Sequence, residues 1–334
     1  LRTGYGFERK LANGRNLCRR DANRGRLPHL QRACWRGQAG GRSFDSSWMT
    51  LSRREASNHS KAAFAYCAEQ VRTHDQDRYL CSLFAQSQRR SALWALYALN
   101  LELARTHEVV SQPMLGEVRL QWWRETLEGL SRGELTRHPV AEALAQSWPS
   151  LGQEQNFFLS LVDSRITDLT GQGPKTLEEL ELSLGRTSGS LMQLSLSALG
   201  VNDEAARTAG GGIGLAWGLV GLIRSLPFSS SPAQLCVPDR ILSELGCSPG
   251  EELAGPSPTL TRAVKVLVER ATAHLCNARG PALSAPKAAR AALSLGALAR
   301  LYLDRLAKAD CDPYVADLNV SSLRRLVKLG ISWR

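Results

Sequence analysis

Apolar residues recur along most of this chain at every third or fourth position, the period of an amphipathic helix, and no β-hairpin signal interrupts them. The pattern predicts a helix over about Ser60–Thr73, with Phe64, Cys67 and Val71 on one face. A longer helix is predicted from about Ser87, carrying the stripe Leu96, Leu99, Leu103 and Val110 and running to the break at Pro113. The stretch after Pro113 predicts a helix with Val118, Trp122 and Leu127 or Leu130 inward, ending near Gly133. Pro139 sits where a first helical turn tolerates proline.

Further helices are predicted up to Gly171, over Thr176–Gly200 with a Gly/Ser-rich middle, and from a cap at Asn202 or Asp203 to just before Pro227. A short helix follows Pro238. A Pro/Gly/Ser/acidic loop spans Ser248–Pro258. Two helices cover roughly Thr259–Asn277 and Ala285–Ala309, and a last amphipathic stretch reads "SSLRRLVKLGISW". No tandem repeat is visible. The expected architecture is all-α, a single-domain helical bundle over residues 57–334, with residues 1–56 set apart.

Composition agrees. Leu and Ala dominate, aromatics make up 6% of the chain, and 43% hydrophobic content supports a core. The longest apolar run, Ala209–Ile223, is short and glycine-rich for a membrane span and is expected to be a core helix. The eight cysteines contain no C-x-x-C, so neither a disulfide framework nor structural zinc is expected.

Charge separates the two parts. Residues 1–54 hold 13 Lys+Arg against 3 Asp+Glu, whereas 55–334 hold 29 against 28. A nearly neutral body argues against a nucleic-acid partner. The leader is Arg-rich, acid-poor and lacks an apolar secretory core, the composition of a mitochondrial targeting segment. A disordered basic tail that binds RNA is the alternative.

The usual enzyme motifs are missing: no G-x-G-x-x-G, no Walker A, no H-E-x-x-H and no G-x-S-x-G. Asp163 and Asp168 are five apart and do not share a helical face. Glu178, Glu179 and Glu181 sit near a helix start, where they favour the macrodipole. No cofactor is expected.

The phrases "YLCSLFAQSQRRSALWALYALNLELA", "RLQWWRETLEG", "HPVAEAL", "LVDSRITDL", "LGRTSGSLMQLSLSALG" and "GLAWGLVGLIRSLPFSSSPAQLCVPDRIL" follow one another. In that order and spacing, over about residues 60–334, the chain resembles the squalene/phytoene synthase family. The resemblance implies a helical bundle of the isoprenoid (trans-prenyl) synthase type around a central cavity. In active members, two D-x-x-x-D motifs on facing helices hold Mg²⁺ against a prenyl diphosphate. Carboxylates at i and i+4 share a helical face, and magnesium prefers such hard oxygen ligands.

Here the first motif falls on "LELARTHEVV", where the aligned positions are Ala104 and Glu108, with Glu102 a turn earlier. At the second, Arg224 is kept and the aligned positions are Ser225 and Ser229; no Asp or Glu occurs between Glu204 and Asp239. These vestigial positions imply a pseudo-enzyme that binds no metal in the synthase manner. One branch of the family combines this loss with a mitochondrial address. Resemblance to it implies a non-catalytic role in assembly or structure of respiratory complex I (NADH dehydrogenase) and its membrane arm, in the mitochondrial matrix and peripheral to the inner membrane. The C-terminal "ISWR" looks closest to that branch.

Three alternatives stay open: an active Mg²⁺-dependent prenyl-diphosphate transferase, a retained accessory subunit of a large mitochondrial complex, and an RNA-associated organelle protein. The old cavity is expected to hold a lipid or isoprenoid if it persists, and to be lost if Gly211, Gly212, Gly214, Gly218 and Gly221 serve close helix packing. Trp122, Trp123, Arg324, Arg325 and Trp333 are candidates for a partner surface, with a buried Trp pair as the alternative for the first two.

Overall fold

The computed structural model describes residues 47–106, 113–148, 151–169, 173–228, 237–246 and 255–332. Glu108, Ser229, Trp333 and the leader as far as residue 46 lie outside these. No strand occurs among the described residues, and the all-α expectation holds.

The chain folds as α1 (Ser47–His74), α2 (Gln76–Ser82), α3 (Ser87–Ala104), α4 (Pro113–Ser131), α5 (Pro139–Ser147), α6 (Gln155–Leu169), α7 (Leu177–Leu184), α8 (Ser190–Ala198), α9 (Glu204–Ser225), α10 (Asp239–Glu244), α11 (Pro258–Ser284), α12 (Arg290–Leu293), α13 (Leu295–Lys308) and α14 (Ser322–Ile331). A π-helical turn, Gly185–Gly189, joins α7 to α8 in the Gly/Ser-rich stretch.

Local signals set several starts. Asp203 accepts the Ala206 N–H at 2.8 Å and caps α9. His138 Nδ1 accepts the Val140 N–H, and Pro139 occupies the first turn of α5. Thr176 caps α7 through the Glu179 N–H.

α9 is the central element. It packs on α8, α11, α13 and the π turn. By length and composition it could cross a membrane, but its residues are mostly buried in the bundle. Its glycines permit that contact. A Cβ on Gly214 would lie 2.9 Å from the Gly189 Cα and 3.0 Å from the Ser188 carbonyl oxygen. One on Gly212 would meet the His274 carbonyl and the Ala278 Cβ, each at 3.1 Å. Gly218 faces Leu184 and Ser188 just as closely, whereas Gly211 and Gly221 face open space.

Some expectations need correction. On α4 the inward positions are Leu120, Trp123, Leu127 and Leu130, while Val118 and Trp122 are exposed. The buried stripe is thus one residue out of phase with Val118 and Trp122, and adjacent tryptophans make both phases plausible from sequence. α3 ends at Ala104, and Arg105 leaves helical geometry at φ −83°, ψ 0°. α1 begins at Ser47, thirteen residues before its expected start. The helix expected over Ala285–Ala309 is broken at Ser294, which separates α12 from α13.

Candidate functional site

The described positions that the resemblance aligns with the two acidic motifs lie on α3 and α9. Glu102, in the last turn of α3, is ion-paired with Arg119 of α4. Ala104, two residues on, carries no oxygen ligand in its side chain. On α9 the Ser225 hydroxyl donates to the Leu222 carbonyl at 2.8 Å. Arg224 points to Asp77 of α2, with Nη1 to Oδ2 at 3.0 Å.

Asp77 was not anticipated, and it is the hub of this end of the bundle. It is buried. Besides Arg224 it accepts from Arg325 Nη1 of α14 at 2.9 Å and from the Tyr302 hydroxyl of α13 at 3.0 and 3.1 Å. Four helices therefore converge on one carboxylate. Burial, with the Asp77 charge beside it, pushes the Tyr302 phenol up to about 12, so it stays a hydrogen-bond donor. The Arg224 guanidinium stacks 4.2 Å from the Tyr302 ring centroid.

These groups line a polar cavity of about 410 Å³, together with Arg78 and Trp217. Arg78 is held at 2.7 Å by Asp75, which also caps α2. Each of the three guanidiniums thus has a carboxylate of the chain itself. Arg325 is buried, with its Nε lacking a hydrogen-bond partner.

The donor set can be compared with what Mg²⁺ takes, which is oxygen ligands including one or two carboxylates free to turn to the metal. Of the described candidates, Glu102 is committed to Arg119, Ala104 offers nothing, and Ser225 is neutral and bonded to its own helix. Among the described residues no three of His, Cys, Asp and Glu converge as a metal site. Paired as they are, these described residues do not fit the ion.

Of the expected partner surface, Trp123 and Arg325 are buried and offer no face to a partner. Trp123 is locked edge-on between Trp122 and His138, with ring centroids 4.9 and 5.0 Å away. Arg325 is buried because it anchors α14 to Asp77. Trp122 and Arg324 are exposed. The acids on other helices serve ion pairs: Asp163 with Arg124, Asp168 with Arg165, and Glu181 with Arg270, while Glu181 also hydrogen-bonds His274 Nε2.

The central helix and its close-packed neighbours form an all-α fold of the isoprenoid synthase type. A solved dehydrosqualene synthase superimposes with TM-score 0.71 at 16% identity, covering 83% of this chain and 97% of that one. The squalene/phytoene synthase family model matches residues 71–330, and the chain belongs to that family. It is 30% identical over 271 residues to the Mus musculus protein "NADH dehydrogenase (ubiquinone) complex I, assembly factor 6", covering 80% of this chain and 81% of the relative. The Homo sapiens protein of that name matches equally. A chloroplastic phytoene synthase of Daucus carota is 23% identical over 307 residues, covering 89% of this chain and 76% of the enzyme.

Proposed function

We propose that this chain is a non-catalytic mitochondrial factor that supports assembly of respiratory complex I and the biogenesis of its membrane arm. The similarity to complex I assembly factors over four-fifths of both chains carries the proposal. The site supports it. Active synthases need paired carboxylates, and here Ala104 and Ser225 stand at two of those positions while Glu102 is neutralised by Arg119. Residues 1–56 serve as a mitochondrial targeting leader and 57–334 as the working domain. The working place is the matrix, against the inner membrane.

Similarity to phytoene synthase along most of the chain favours a second reading, a working prenyl-diphosphate transferase. Native purification from mitochondria followed by mass spectrometry separates the two. The proposal expects complex I subunits to co-purify and the same preparation to leave prenyl diphosphates untouched in Mg²⁺. Recovery of the protein alone, with Mg²⁺-dependent consumption of a prenyl diphosphate, would establish the enzyme.

A further inference from the structure

α14 is built inside out. A surface helix normally buries its apolar stripe and shows its charges to water. Here the buried positions are Arg325 and Leu329, while Leu323, Val327 and Ile331 are 72%, 53% and 63% exposed and Leu326 is 36% exposed. At about 100° per residue the four exposed apolar side chains span roughly 140° of arc, nearly opposite the buried pair. The cause lies in the polar cluster. Arg325 donates to Asp77 Oδ1 at 2.9 Å and to Gln76 Oε1 at 2.7 Å. Ser321 caps the first turn through the Arg324 N–H. These contacts fix the rotation of the helix and leave Leu323, Val327 and Ile331 facing out.

The outward face has a definite chemistry. Arg324 and Lys328 border its Ile331 edge, and α14 contains no acid. The exposed apolar residues form a convex ridge along a helix that packs only on α13 and α2 among its main neighbours. A ridge of Leu, Val and Ile with a basic rim matches the boundary of an anionic bilayer. There the apolar side chains enter the acyl region and the long cationic chains reach the headgroups. A protein groove would need to be concave and acidic along one side to match the same ridge.

We infer that the outward face of α14 is a membrane-docking surface that takes an anionic lipid bilayer, held at the right rotation by the Arg325–Asp77 ion pair. The inference rests on the proposed inner-membrane placement and names the element that makes the contact.

The test uses the full chain and vesicles of phosphatidylcholine with about one-third phosphatidylglycerol, sedimented at about 0.15 M salt; the basic leader is common to every variant, so differences between them report on the substituted face. The substitutions Leu323→Ser, Val327→Ser and Ile331→Ser are made together. All three side chains are exposed, so helical content and melting should stay as in the parent. Met114→Ser with Val118→Ser, on the exposed face of α4, is the control pair. The inference predicts that the parent binds, that the control binds equally, and that the α14 variant partitions at least about tenfold more weakly.

Equal binding by the α14 variant overturns the assignment to α14 while leaving inner-membrane placement standing. A parent that binds no vesicles overturns both. Protection of α14 from hydrogen exchange only when an identified protein partner is bound overturns the assignment to α14 alone.

Discussion

Replacing Asp77 by Asn removes one negative charge from a site that holds two guanidiniums and a phenol. The Arg325 side chain is 9% exposed and the Asp77 side chain 6%, so this pair is shielded from water and its loss leaves a buried cation unpaired. Truncating one partner of a buried pair costs about 3–5 kcal/mol. Arg224 is about one-third exposed and can turn to solvent, so it adds little to that figure. Spread over a folded body of this size, the loss corresponds to a fall in Tm of roughly 5–8 °C.

Thermal melting followed by circular dichroism measures the shift. Hydrogen exchange should place the earliest opening in α14, whose main polar tether is this pair. Asp77→Asn combined with Arg325→Met removes both charges and should recover much of the loss, because a missing buried pair costs less than a broken one. A single variant within about 2 °C of the parent, or a double variant no better than the single, would refute the hub role of Asp77.

Gly214→Ala should cost about 1–3 kcal/mol, since its Cβ would meet backbone atoms of Ser188 and Gly189. Gly211→Ala, facing open space on the same helix, should be neutral or stabilising by up to about 1 kcal/mol in the same melts. Trp123→Ala should cost about 3–5 kcal/mol and the exposed Trp122→Ala much less; equal losses would contradict the observed phase of α4. Burial holds the His138 imidazole below its usual pKa, so the unfolded chain binds more protons there than the folded one. Stability from this group is therefore present above about pH 6.5 and is lost as pH falls through the lower folded value. His138→Asn, which keeps a capping acceptor without titrating in this range, should flatten that part of a pH–stability curve.

Features written in a few adjacent residues were legible in the sequence. Asp203 and Pro139 mark helix starts because capping and proline chemistry act within one turn. The bundle itself followed from apolar periodicity and from the ordered family motifs. What escaped depends on distance along the chain. Asp77 meets Arg224, Tyr302 and Arg325 across 147, 225 and 248 residues, and nothing in "THDQDRYL" marks it as buried. For the same reason Arg325 read as a surface residue beside Arg324, although one is buried and the other exposed. The pairing of Glu102 with Arg119 spans only 17 residues, yet crosses from α3 to α4 and needed the fold to appear. The glycines of α9 were visible as small residues; which of them touch a neighbouring backbone was not.

The most direct measurement is complementation in mouse cells that lack the similar complex I assembly factor, read as assembled complex I on a native gel. The account predicts that the full chain restores the complex I band and that the substitution Glu102→Gln, beside the position expected for the first acidic motif, restores it equally. Failure of the full chain to restore the band, together with Mg²⁺-dependent turnover of a prenyl diphosphate by the purified protein, would contradict it.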